Sequence, residues 1–120
     1  MHYQYLKNFL ENSVRQNDTY IPTMILFLVR NEGKGTTEQI AKLMYIFDYQ
    51  KELSYYESIV EKFAATLLLE YNIITKEDTH YHLNTWPLDT KQIEEIVTRC
   101  SKKSNGFFKH IQAKKETLHS

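Results

Sequence analysis

The sequence predicts a mainly α, α+β single domain with one small β-hairpin. Three observations carry that expectation. Apolar residues recur at helical spacing through most of the first hundred positions. Only one stretch, from Ile73 to Asn84, changes to β-branched residues and alternation around a polar cluster. The chain has 120 residues, of which 42% are hydrophobic and 13% aromatic. That is enough for one core at the ~100–150 residues of a typical domain.

Each element has its own signal. Tyr3, Leu6, Phe9, Leu10 and Val14 form one stripe, so residues 3 to 14 read as an amphipathic helix. After the polar break Asn17-Asp18-Thr19, Pro22 stands at the first turn of a helix, where its missing N–H costs nothing. That helix runs through an apolar stretch to Arg30 and stops at Gly33-Lys34-Gly35. Thr36 as N-cap and Gln39 three residues on make a capping box. Ile40, Leu43, Met44 and Phe47 then mark a helix over Thr37–Phe47. Asp48 to Glu52 reads as a turn, and Ser54 as the cap of a helix running to about Tyr71, whole or bent near Lys62–Ala65. Ile73–Thr75 and His80–Asn84 read as strands joined by a four- to five-residue loop. Trp86-Pro87 ends the hairpin. Asp89 or Thr90 caps a last helix carrying Ile93, Ile96, Val97 and Cys100.

Composition narrows the class. Three glycines and two prolines exclude collagen-like and low-complexity chains. A single cysteine excludes a disulfide-stapled fold. Lys7, Asn8, Glu11 and Asn12 interrupt the N-terminal segment, which has no signal-peptide core. The apolar runs Met24–Val29 and Ala64–Leu69 fall far short of the ~20 residues that span a bilayer. A cytoplasmic protein with no membrane contact is expected. Basic and acidic residues number 15 each but are unevenly placed. Residues 1–97 hold nine basic and fourteen acidic side chains, net −5. Residues 98–120 hold six basic and one acidic, net +5. The division expected is a domain over 1–104 and a basic tail or linker over 105–120.

Two helices joined by a short glycine turn, a third helix and a hairpin form the winged-helix arrangement, in which the third core helix meets a major groove and the wing meets the backbone beside it. Tyr20-Ile21-Pro22-Thr23-Met24, the glycine turn, Thr37-Glu38-Gln39-Ile40-Ala41, Tyr55-Tyr56-Glu57, Tyr71-Asn72-Ile73-Ile74 and Tyr81-His82-Leu83-Asn84 carry a resemblance. Across residues 3–104 the chain resembles the N-terminal modules of bacterial HNH restriction endonucleases and of superfamily-2 helicases. The resemblance implies a DNA-binding appendage in a restriction or defence system. Phe63-Ala64-Ala65 stands where those modules carry a proline-containing turn, and no nuclease or ATPase motif is present.

The chemistry expected is binding, not catalysis. Gly33-Lys34-Gly35-Thr36 lacks the order and spacing of a phosphate loop and reads as a turn. His80 and His82 would share a strand face, but no further ligands complete a metal site, and no cofactor is expected. Cys100 lies on an apolar stripe and reads as a buried thiol. The candidate contacts to double-stranded DNA are Lys34, Thr36, Thr37, Lys51, Ser54, Tyr55, Ser58, Lys62, Thr66, Lys76 at the wing tip, and His80. A non-enzyme is expected, or a non-catalytic part of a nuclease or helicase. The alternative is a protein-interaction or dimerisation module of the same fold. The acidic body and the nine tyrosines, too many to bury, favour it. A small phage or plasmid decoy is a third reading.

Overall fold

A computed structural model of the chain describes residues 2–15 and 18–104. The basic segment 105–120 lies outside the described residues. The elements run α1 (Tyr3–Asn12), α2 (Tyr20–Arg30), β1 (Lys34–Thr36), α3 (Thr37–Asp48), α4 (Leu53–Ile59), a π-helical turn (Val60–Ala64), α5 (Ala65–Glu70), β2 (Ile74–Glu77), β3 (His80–Leu83) and α6 (Thr90–Lys103). This is a helical α+β domain with a small wing, as the periodicity predicts.

The first difference from expectation is β1. The glycine turn contains a three-residue strand, and it pairs antiparallel with β3, Gly35 opposite Tyr81. The sheet order is β1-β3-β2, so the wing is stitched to the α2–α3 connection. Gly33 makes this possible. Its φ is +80°, and a Cβ there would lie 2.5 Å from Cγ of Trp86. Only glycine meets both demands.

Other boundaries shift for local reasons. α2 starts at Tyr20 rather than Pro22, because Asp18 Oδ1 accepts the free N–H groups of Tyr20 and Ile21 at 3.0 and 3.1 Å. Pro22 still falls within the first turn. Ser54 is not a cap. α4 begins at Leu53 with Glu52 at the N-cap and no side-chain capping bond. The hairpin loop is shorter than expected: only Asp78 and Thr79 separate the strands, with Asp78 at φ 54°. Lys76 therefore sits within β2 and not at the tip. The capping boxes at Thr36/Gln39 and Asp89/Gln92 are both formed.

Where the sequence leaves one helix or a bend near Lys62–Ala65 open, the structure has a π turn over Val60–Ala64. Tyr56, Val60, Ala64 and Leu68 recur every four residues and all are buried. A regular α-helix would carry that series progressively off the core face, since 3.6 residues complete a turn. The wider turn over Val60–Ala64 restores the alignment. Around this helix the core gathers Leu6 and Leu10 from α1, Met24, Ile25 and Leu28 from α2, Ile40 and Met44 from α3, and Tyr81 from the sheet. α6 closes the domain with Ile96 and Cys100. It is fastened to α1 by polar bonds: Tyr3 Oη donates to Glu95 Oε2 at 2.7 Å, Lys7 pairs with Glu95 at 3.5 Å, and Arg99 with Glu11 at 2.7 Å. Two of the basic residues after position 97 are thus spent inside the domain, since Lys103 Nζ also donates to the Glu11 carbonyl at 3.0 Å. No helix among the described residues is long and apolar enough to cross a membrane.

Candidate interaction surface

The sheet sorts the predicted contacts onto two faces. Side chains alternate along a strand, and residues directly opposite share a face. Lys34 lies opposite His82, and Thr36 opposite His80. This face is exposed at Lys34 and His80. Lys76 lies opposite Tyr81, on the face that packs toward the helices, and its Nζ rests 5.7 Å from the Tyr81 ring centroid. Lys34 and Lys76 therefore point away from each other and do not form one basic patch. His80 and His82 do share a face, with ring centroids 6.4 Å apart. Among the described residues no group of three or more His, Cys, Asp or Glu side chains could hold a metal ion.

Lys76 instead opens onto a cleft of about 410 Å³ between the start of α3, the α4 and π-turn face, and the wing. Thr36, Thr37, Glu38, Glu57, Glu61, Asp78 and Thr79 line it with Lys76. Four acidic residues and one lysine thus line the cleft. Thr37 donates its hydroxyl to Tyr81 Oη at 3.2 Å, and Glu38 pairs with Lys42 at 3.0 Å. Thr36 and Thr37, two of the candidate contacts, stand at this cleft within an acidic lining.

The third core helix presents Ser54, Tyr55, Ser58, Lys62 and Thr66 outward, all exposed. Thr66 turns its hydroxyl back to the Glu61 carbonyl at 3.2 Å. Lys51, also exposed, precedes the helix. Its N–H and that of Gln50 donate to Tyr56 Oη at 3.3 and 3.2 Å. Tyr56 in turn donates to Asp48 Oδ2 at 2.8 Å. This hydroxyl ties the α3–α4 turn to the helix that follows it. Burial, then the bond to Asp48, raises the Tyr56 pKa above its ordinary range.

An aromatic tract crosses the same side of the molecule. Tyr45 and Tyr55 both meet the Tyr56 ring edge-on, with centroids 6.0 and 5.2 Å away. The Tyr20 hydroxyl shares a hydrogen bond with Tyr55, and burial together with that bond raises its pKa. Tyr20 then meets Phe63 edge-on at 6.5 Å. Tyr45, Tyr55 and Phe63 are 43%, 40% and 45% exposed. Helical periodicity places Phe63 on the apolar stripe of its helix. The π turn swings it outward while Val60 and Ala64 stay in the core. Tyr20, Tyr45 and Phe63 are the members of this surface that the candidate contacts omit. The excess of tyrosine is the available signal in the sequence, without positions attached. Cys100 is fully buried, and burial pushes its thiol pKa up, which leaves it without thiolate character.

No protein-family model, curated protein or solved structure matches the chain.

Proposed function

We propose that the chain is a winged-helix protein-docking module of a cytoplasmic DNA-processing system, and that its wing-side surface receives a protein partner. The observation that carries this reading is the charge around Lys76. Where a DNA-binding winged helix needs cations against phosphate, this cleft sets Glu38, Glu57, Glu61 and Asp78 around a single lysine. The adjoining tract of Tyr45, Tyr55 and Phe63 supplies the aromatic surface that protein interfaces favour. The partner is a second copy or the parent nuclease or helicase domain that the family resemblance suggests.

A second reading, direct contact with double-stranded DNA, is favoured by one observation. Ser54, Tyr55, Ser58, Lys62 and Thr66 are all exposed along the third core helix, and hydroxyl groups bond phosphate oxygens without carrying charge. Fluorescence anisotropy against a duplex and a single strand, at ~50 and ~200 mM salt, separates the two. The docking reading expects a flat response at tens of micromolar. A rise that the higher salt abolishes, and that Lys76→Glu weakens, replaces it with the DNA reading. Sedimentation of the same sample then reports whether a second copy is the partner.

A further inference from the structure

The described chain leaves the domain beside the aromatic tract. Ser104 ends α6, and its hydroxyl donates to the Asp18 carbonyl at 2.7 Å. Asp18 in turn holds the backbone of Tyr20 and Ile21. Tyr20 is the member of the tract that touches both Tyr55 and Phe63. Ser104 is thus bonded to a residue only two positions from the tract. The segment beyond Ser104 has matching chemistry. Residues 105–120 include Phe107, Phe108 and Ile111, with Lys109, Lys114 and Lys115 against Glu116. Beside the tract stand Asp48, which accepts from Tyr56 Oη, and the exposed Glu52 at the start of α4, against Lys51.

We propose that segment 105–120 docks in cis on this tract, Phe107 and Phe108 against Tyr20, Tyr55 and Phe63, with its lysines toward Asp48 and Glu52. Three extended residues span about 10 Å. Phe107 lies three residues beyond Ser104, which sets its reach from the end of α6 at about that length. The segment then competes with a partner for the docking surface. This competition rests on the docking reading, but the cis contact does not.

The test uses the full chain with Ala113→Cys carrying a nitroxide; the buried Cys100 stays unlabelled. Amide signals of Tyr55, Ser58 and Phe63 are expected to weaken severalfold, and more than those of Lys76 and Asp78. Phe107→Ser with Phe108→Ser is expected to restore them. A 1:1 mixture of nitroxide-labelled chain and unlabelled ¹⁵N chain is expected to show no weakening. The proposal is overturned by no weakening at α4, by stronger weakening at the wing, by insensitivity to the double serine variant, or by weakening in the mixture. None of these results depends on the duplex titration, so each reading can fail alone.

Discussion

At the scale of single residues, Tyr56 does more than fill space. Its ring occupies the core between α3 and α4, and its hydroxyl is donor to Asp48 and acceptor from Gln50 and Lys51. Tyr56→Phe keeps the ring and removes all three bonds. It is expected to lower stability by about 1–3 kcal/mol, since the orphaned backbone donors lose a partner. The measurement is a urea midpoint with unchanged m value. Tyr55→Phe, on the exposed side of the same pair, is expected to fall within about 0.5 kcal/mol of the parent chain. Sequence pattern groups these two tyrosines as core or rim. It cannot separate them, because the difference lies in which one the α3–α4 turn folds over.

At the scale of elements, the informative segment is Gly33 to Thr36. The capping box at Thr36 is legible because both its partners lie within four residues. The strand β1 is not, because its pairing residues His80, Tyr81 and His82 lie more than forty positions away, and a Lys-Gly-Thr stretch has little β propensity of its own. The same gap in reach explains the candidate site. Most of the predicted contacts are polar surface positions, which local pattern reveals, but the assignment of Lys34 and Lys76 to opposite faces needs the three-strand register. Gly33→Ala tests the joint. Positive φ and collision with the Trp86 ring act together, and a loss of about 2–4 kcal/mol is expected in chemical denaturation. The π turn has a comparable lesson. Four-residue recurrence at Tyr56, Val60, Ala64 and Leu68 is present in the sequence, yet read as ordinary helical periodicity it leaves Phe63 on the wrong side.

At the scale of the whole molecule, stability should depend on pH at both ends of the range. The Tyr3 hydroxyl, and then Lys7, hold the Glu95 carboxyl below its ordinary pKa. A depressed carboxylate contributes stability that is present above its unfolded value of about 4.3 and is lost as pH falls through the lower folded value. Burial, followed by hydrogen bonds to Glu95, Tyr55 and Asp48 respectively, raises Tyr3, Tyr20 and Tyr56. Their contribution is complete below about pH 10 and fades as pH rises toward the folded values. Thermal midpoints should therefore hold between about pH 5 and 9 and fall on either side. Tyr3→Phe should make the acid limb shallower by returning Glu95 toward its unfolded value.

The position of β2 at the end of the β1-β3-β2 order gives Lys76 and Glu77 a further part. An outermost strand offers unpaired backbone groups to any passing chain, and charged side chains on it discourage such pairing. In a hairpin only four residues deep on each side, these two charges guard the open edge against fibre-like addition. A change at Lys76 made to probe ligand contact thus also alters the domain's colloidal behaviour, and it is best read beside a light-scattering record.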